Sequence, residues 1–203
     1  MKKITAIIIA IAICVSFCAC GESKESVSSG KNSAAKALFS KVAGNYSFLS
    51  GAGGWSTDIE LNDDGTFTGT YHDTDIVNGE EYAEQIAYSR FSGKFKKVKK
   101  LDKYIYSAEL EPLNYETETG SEEIVENATG DEPYKQKYVC TTAYGLEKCE
   151  TVYFYLKGAP MSGLPEEFIS WGYGTVGITG DETKLPVNGF YNVEEQYGFF
   201  EME

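Results

Sequence analysis

The sequence predicts an all-β domain built as a single antiparallel β-barrel of about eight or nine strands, with a β-sandwich as the alternative. Three observations support this prediction. The chain contains 15 Tyr, 11 Phe and 21 Gly. Aromatic and β-branched residues alternate with polar ones between Gly, Asp and Asn turns, which is typical of strands. Helical periodicity is confined to 33–42, where Ala35, Leu38, Phe39 and Val42 share one side, so a short N-terminal helix is expected.

The N-terminal segment has the layout of an export signal. Lys2 and Lys3 precede the apolar run ITAIIIAIAICVSF, which is too short to be a comfortable membrane span, and small Ala19 stands before Cys20. This layout closely resembles bacterial lipoprotein signals, in which the peptide before the cysteine is removed and the thiol carries a diacylglycerol. The resemblance implies that 1–19 is a signal peptide and that a lipid at Cys20 anchors the chain to the extracytoplasmic face of the cell membrane. An ordinary secretory signal or a retained anchor is the alternative.

A polar segment separates the anchor from the domain. Residues 20–36 are rich in Ser, Gly, Lys and Glu and cannot bury enough apolar surface to fold, so we expect a flexible tether before a β-barrel domain at 37–203. The precursor has 18 basic and 31 acidic residues, net −13, and loss of Lys2 and Lys3 gives 16 − 31 = −15. So acidic a surface repels phosphates, which argues against nucleic-acid binding.

Nine segments alternate like strands. They are 44–50, 55–62, 66–72, 86–95, 103–111, 134–143, 146–157, 173–179 and 188–201. Between them, 112–133 is acidic and predicted to be an exposed loop, and 158–172 holds two prolines and could cover one end of the domain as a lid. The basic cluster KFKKVKK at 94–100 is interpreted as a solvated turn, with a contact to lipid headgroups or cell wall as the alternative.

The clearest hairpin lies within GGWSTDIELNDDGTFTGTYHD. For both apolar faces to point the same way, Leu61 is expected opposite Phe67, with Asn62 opposite Thr66. This leaves a three-residue loop, and such loops need a left-handed residue in third position, where Gly65 stands. The register places Trp55 and Tyr71 on the inward face and His72 on the other.

The motif series GNYSF…GGWSTDIELNDDGTFTGTY…FSGKF resembles the first strands of the calycin barrels, the lipocalin and avidin-like group. In those families a Gly-x-Trp opens the first strand and DG-x-x-x-G-x-Y spans the next turn and strand. An avidin-like resemblance implies a biotin-type pocket with Tyr71 as a hydrogen-bonding residue. Only Trp55 and Trp171 are present as tryptophans, so the pocket tryptophans of that family are not recognisable and only the barrel is adopted. The pattern SGAGxW…DGxFxGxYHD…FSGKF also resembles uncharacterised lipoproteins of Gram-positive bacteria, which implies export and no assigned activity.

Two cysteines remain for the folded domain after Cys14 and Cys18 leave with the signal. If Tyr144-Gly145 forms a two-residue turn, strand pairing places Cys140 directly opposite Cys149. Because disulfides persist in exported compartments, we predict a Cys140–Cys149 disulfide, with free thiols as the alternative.

One polar cluster could carry chemistry. His72, Asp73 and Asp75, with Glu80 or Glu81, could form a general acid–base pair or a metal site, but a solvated strand end is the favoured interpretation. A catalytic base needs an oriented partner, and none is identifiable. No cofactor motif occurs either, so no catalytic residue, metal or cofactor is assigned.

The aromatic residues are the remaining candidates for binding. Tyr46, Trp55, Tyr71 and Trp171 are predicted to line a ligand cavity. We therefore expect non-catalytic binding of a small apolar or saccharide-like ligand, or of a surface partner such as a cell-surface protein. The alternative is a structural or protein-interaction lipoprotein whose barrel is solid, and a cell-envelope hydrolase comes third.

Overall fold

The computed structural model describes residues 25–76, 81–127 and 134–202. The two α-helices are α1 (Glu25–Val42) and α2 (Glu166–Thr175), and a 3₁₀ turn spans Met161–Gly163. The strands are β1 (Gly44–Leu49), β2 (Trp55–Leu61), β3 (Thr66–Ile76), β4 (Glu84–Lys100), β5 (Ile105–Leu110), β6 (Asn114–Tyr115), β7 (Glu122–Asn127), β8 (Tyr134–Cys140), β9 (Thr151–Tyr155), β10 (Gly189–Asn192) and β11 (Tyr197–Glu201). Neither α-helix of these ranges is long and apolar enough to cross a membrane. The predicted signal peptide and Cys20 lie outside the described residues.

Eight of the strands close into an antiparallel barrel, as predicted. The order around the wall is β3-β2-β1-β11-β10-β9-β5-β4, and pairing of β3 with β4 closes the ring. The strands β6, β7 and β8 are an excursion between β5 and β9. β4 is long enough to belong to both the barrel and the excursion. Its second half pairs with β5, and its first half pairs with β3 and, in parallel, with β8. β3, β4, β8 and β7 thus extend the barrel wall as a four-stranded sheet.

The predicted β2–β3 hairpin is present in its predicted register. Leu61 faces Phe67, and the amide of Asn62 donates to the carbonyl of Thr66 at 2.8 Å. Gly65 closes the loop with φ +82°, and a Cβ there would meet the ring of Phe39 at 2.5 Å. Gly65 is therefore required both by its backbone conformation and by the helix that packs over it.

Aromatic side chains fill the barrel. Phe190 stacks on Phe199 with ring centroids 4.5 Å apart, and Phe95 meets Phe154 edge-on at 5.1 Å. The largest fully buried side chains of the wall include Tyr46, Phe48, Phe67, Phe95, Tyr106, Phe154, Phe190 and Phe199. Burial of aromatic rings, each with a large apolar area, is the main source of stability for such a domain.

Helix α1 closes one end of the barrel. Leu38, Phe39 and Val42 are almost fully buried in the barrel core, and the hydroxyl of Tyr46 donates to the carbonyl of Val42 at 2.8 Å. The helix is longer than predicted, because it begins at Glu25 and so includes 25–36, which we expected to be flexible tether. A helix nucleated by packing extends at low cost, which explains why a polar segment joins it.

The segment that connects β8 to β9 closes the other end. This plug loop, residues 141–150, inserts Ala143 and Leu146 into the core. Two inward polar side chains hold its backbone. The hydroxyl of Thr57 donates to the carbonyl of Tyr144 at 2.6 Å, and the side-chain amide of Asn192 donates to the carbonyl of Gly145 at 2.8 Å. The plug loop therefore replaces the predicted hairpin around Tyr144-Gly145.

Without that hairpin, Cys140 and Cys149 are not aligned for the predicted disulfide. β8 pairs with β4 and β7, whereas β9 pairs with β5 and β10, so the two cysteines are not cross-strand neighbours. Both are buried free thiols. Desolvation raises the pKa of each thiol, most strongly at Cys149.

Helix α2 builds a second core on the outside of the barrel. Its Phe168 packs on Phe200 at 4.6 Å and on Tyr155 at 4.8 Å, which are outward-facing residues of the wall. The helix includes Tyr173 and Thr175, where a strand at 173–179 was predicted, and 158–172 packs against the wall instead of forming a lid. Pro165 followed by two glutamates favours a helix start here.

Three other segments differ from the predictions. The segment 188–201 is a hairpin of two strands, β10 and β11, and not one strand. The predicted loop 112–133 contains β6 and β7, with 128–133 outside the described residues. The basic cluster 94–100 is the end of β4, where a bulge between Lys96 and Lys99 lets Phe95 and Val98 both face the core.

Replacement of Gly65 by alanine tests the contact between α1 and the β2–β3 turn. We expect Gly65→Ala to lower the free energy of unfolding by about 2–4 kcal/mol, because it adds left-handed strain and a clash with Phe39. Gly53→Ala is the control: φ is +78°, but no described atom lies within 4 Å of the new Cβ. Urea denaturation should show a smaller decrease in the free energy of unfolding for Gly53→Ala than for Gly65→Ala. Equal decreases would contradict the role of Phe39.

The plug loop also carries a pH-sensitive group. Desolvation, together with the negative charge of Glu195, raises the pKa of Glu147, whose carboxylate accepts a hydrogen bond from the amide of Gly145 at 3.2 Å. Because the folded-state pKa lies above the unfolded value, the contribution of Glu147 to stability is full below the unfolded pKa and is lost as pH rises through the folded pKa.

Glu147→Gln should therefore stabilise the domain at neutral pH. We expect the melting temperature to rise by about 1–3 °C at pH 7, since the partly exposed group is screened, and to change less at pH 4. Glu150→Gln, at an exposed position of the same loop, is the control. A larger increase in melting temperature at pH 4 than at pH 7 would contradict the raised pKa of Glu147.

Candidate functional site

Three of the four predicted ligand-binding residues come together at the plug-loop end of the barrel, but as a packed cluster. The ring of Phe48 lies 4.8 Å from Trp55 and 4.7 Å from Trp171. Tyr144 of the plug loop contacts Trp55 at 4.9 Å and Tyr71 at 6.4 Å. Side chains of the protein itself occupy the space between these rings, so the cluster is a closed end of the core and not a ligand cavity.

The fourth predicted residue, Tyr46, lies elsewhere in the interior. Its ring centroid is 5.5 Å from that of Phe190, and its hydroxyl donates a hydrogen bond to the carbonyl of Val42. Burial, with a smaller effect of the Glu201 charge, raises the pKa of Tyr46 far above its usual range. Tyr46 therefore joins α1 to the wall and has no hydroxyl proton left for a ligand.

A pocket of about 650 Å³ lies beside the plug loop, and a second concave surface lies on the outside of the barrel wall. We call it the outer groove, and it has two sections. The first, of about 500 Å³, is lined by outward side chains of β1 to β4, among them Asn45, Ser47, Asp58, Glu60, Thr68 and Thr70. The second, of about 520 Å³, continues toward β8 and is lined by Thr70, His72, Ile86, Tyr88, Arg90 and Tyr138, among others. Thr70, Arg90 and Glu116 line both sections and so mark where they meet.

Strand alternation explains why polar residues line this groove. In β2 and β3 the inward positions carry the apolar residues, so that Asp58 and Glu60, with Thr70 and His72, are left on the outer face. Pairing of Asp58 with Thr70, and of Thr70 with Arg90, then sets three polar side chains in a row across three strands. The groove is thus a direct product of the same register that packs the core.

A hydrogen-bonded network lies at the edge of the groove. Buried Ser47 donates to one carboxylate oxygen of Asp58, and buried Ser56 donates to the other at 2.6 Å. The Ser56 hydroxyl also lies 3.2 Å from Nδ1 of His72. In a catalytic triad a histidine stands between serine and carboxylate and removes the serine proton. Here Ser56 itself bonds the carboxylate and His72 is at the end of the chain of bonds, so the network fixes Asp58 rather than activating a nucleophile.

The predicted polar cluster around His72 is divided by the sheet. His72 is exposed on the outer face, whereas Asp73 lies on the opposite face beside Tyr71. Burial, with the charge of Asp73 as the second cause, raises the pKa of Tyr71 to about 12. Glu80 lies outside the described residues, and among those that are described no group of three or more His, Cys, Asp or Glu is placed to hold a metal ion.

Arg90 is the residue that the sequence reasoning missed. It is the single arginine of the chain, and its side chain is exposed at the junction of the two groove sections. Within the described part of the chain it makes no ion pair with a carboxylate. Its carbonyl accepts a hydrogen bond from the amide of Glu116 at 3.0 Å, which places Glu116 beside it. A single arginine among 31 acidic residues is the signal that could have found this site.

Comparisons with known proteins add nothing to the assignment of the outer groove. The calycin resemblance of the first strands stays a prediction, and the site is described from the geometry of this chain alone. No family model matches the chain, and no curated protein or solved structure shows significant similarity to it.

Proposed function

We propose that this protein is a membrane-anchored, extracytoplasmic lipoprotein that binds a ligand or surface partner without catalysis, through the outside of a solid barrel. The lipid is carried by Cys20 after removal of residues 1–19. The folded domain displays its outer groove outside the cell membrane. The proposal keeps the binding role expected from the sequence, and it takes the solid barrel from the alternative expectation of a structural or protein-interaction lipoprotein.

The observation that carries the proposal is the occupied interior. Stacked rings such as Phe190 and Phe199 fill the middle of the barrel, α1 closes one end and the plug loop closes the other. Protein interiors packed in this way leave no space for a ligand unless side chains move. The outer groove is an open concave surface on the wall, and both of its sections have the size of small-molecule sites, about 300–1,000 Å³.

The polar network argues for binding over hydrolysis. A hydrolase of the serine type needs a base that removes the serine proton, and a site beside it where donors stabilise the oxyanion. Ser56 is instead directed toward Asp58, and His72 is exposed at the end of the network. Ser47 and Ser56 hold the Asp58 carboxylate in one orientation, which suits a residue that presents an acceptor to a ligand.

Lipid attachment at Cys20 can be tested by metabolic labelling. We expect an alkyne-tagged fatty acid to label the full chain expressed in a bacterial host, and Cys20→Ala to abolish the label, because the thiol is the acceptor. Cys18→Ala is the matched control and should keep the label. Labelling that survives Cys20→Ala but not Cys18→Ala would contradict the assignment.

The packed interior predicts that apolar ligands do not enter the barrel. Dodecanol added to the purified Cys20→Ala protein should leave its melting temperature unchanged, because aromatic side chains occupy the barrel interior. Differential scanning fluorimetry over a concentration series measures this. A saturable increase in melting temperature would mean that the interior opens to ligands, and would favour a lipocalin-like role.

A further inference from the structure

We propose that the outer groove binds a neutral oligosaccharide, with Arg90 at its centre and the Tyr88–Tyr138 pair under one sugar ring. This inference rests on the proposed function, since it names the ligand class for the same outer surface. Four features of the groove lead to it: a guanidinium without an ion pair to a described carboxylate, neighbouring carboxylates, a pair of tyrosines, and the length of two joined sections.

The Arg90 guanidinium is a set of unused donors. Arginine carries five N–H groups in a fixed planar fork and cannot lose its charge in a protein. In a strongly acidic chain such a group would ordinarily be paired, yet Arg90 is exposed without an ion pair to any described carboxylate. Thr70 stands beside it on the neighbouring strand and adds a hydroxyl that both donates and accepts.

The charge around Arg90 selects against anions. Asp58, Glu60 and Glu116 line the first section of the groove, so a phosphate or carboxylate ligand would meet three like charges for one arginine. A neutral diol avoids this repulsion. Its oxygens accept from a guanidinium while its hydroxyl protons are donated to carboxylates, and hydrogen bonds with one charged partner are the stronger ones.

The second section supplies an apolar platform. The rings of Tyr88 and Tyr138 are half-buried, 6.1 Å apart and nearly perpendicular, and Ile86 lies beside them in the groove. A sugar ring has an apolar C–H face as well as its hydroxyls, and aromatic side chains present both an apolar face and, in tyrosine, a hydrogen-bonding tip. A ligand with only polar groups would not use this surface.

The two sections together indicate a ligand longer than one sugar. Each is within the size range of a small-molecule site, and they meet at Thr70, Arg90 and Glu116. A ligand that covers the tyrosines and also reaches Asp58 and Glu60 crosses β2, β3 and β4. A linear oligosaccharide meets this requirement because each sugar unit repeats the same combination of hydroxyls and apolar face.

Isothermal titration calorimetry with defined trisaccharides tests the proposal. The probes are maltotriose, cellotriose and triacetylchitotriose, with trigalacturonic acid as the anionic comparison. We expect saturable binding of at least one neutral trisaccharide to the Cys20→Ala protein, and binding of trigalacturonic acid about tenfold weaker or less, because of the carboxylates around Arg90.

Variants locate the binding in the groove. Arg90→Ala should weaken binding by about tenfold or more, which is the usual effect of losing hydrogen bonds to a charged group. Tyr88→Leu, which keeps apolar bulk but removes the ring, should also weaken it. Lys94→Ala is the matched control, because Lys94 is an exposed cation of the same strand outside both sections, and its binding should stay within about twofold of the parent. The melting temperature of each variant verifies that it is folded.

Three results would overturn the proposal. They are the absence of binding by all three neutral trisaccharides at millimolar concentration, tighter binding of trigalacturonic acid, and equal affinity of the Arg90→Ala and Lys94→Ala proteins. Failure here is distinct from failure of the proposed function. Fatty-acid labelling at Cys20 and the absence of dodecanol binding are measured separately and are unaffected by the sugar result.

Discussion

Closure of the sheet by β3 and β4 is the constraint on which the rest of the structure depends. Once the ring is closed, each wall strand has one face inside and one outside, and the inner faces meet around a fixed volume. Phe190, Phe199 and their neighbours fill that volume. A closed ring has two open ends, which α1 and the plug loop cover. Its outer face contacts solvent, packs against α2 and forms the groove.

Local patterns predicted the parts of this fold that depend on neighbours in sequence. The β2–β3 hairpin was placed in register because the alternation of Leu61 and Phe67 and the glycine of the turn agree within a few residues. The Cys140–Cys149 hairpin had equally good turn chemistry, but it competed with a long-range parallel pairing of β8 with β4, which no local pattern contains. The strand predicted at 173–179 is wrong in part because Tyr173 and Thr175 favour strands on propensity, whereas packing of Phe168 on the wall stabilises helix α2.

The candidate site shows the same division. Strand alternation correctly placed Tyr71 and His72 on opposite faces of the sheet. The ligand was predicted to contact the inward aromatic residues, and the polar outer face was interpreted as solvent-exposed surface only. In a barrel narrow enough to be filled by its own rings, inward aromatic residues such as Trp55 pack the core, so a ligand of the kind proposed would contact the outer face. That β4 carries Arg90 next to Thr70 of β3 could be known only from the pairing, since the residues are far apart in sequence.

Helix α1 changes how the domain would be held at a membrane. A flexible linker lets a domain wander over a range of distances that grows with the square root of its length, whereas a helix rises about 1.5 Å per residue and keeps its direction. The 18 residues of α1 therefore form a rod about 27 Å long whose last turns are seated in the barrel. With the lipid at Cys20, as proposed, the anchored residue is five positions before Glu25, where α1 begins. The helix would then fix the distance between the lipid and the barrel more narrowly than a flexible tether of the same length.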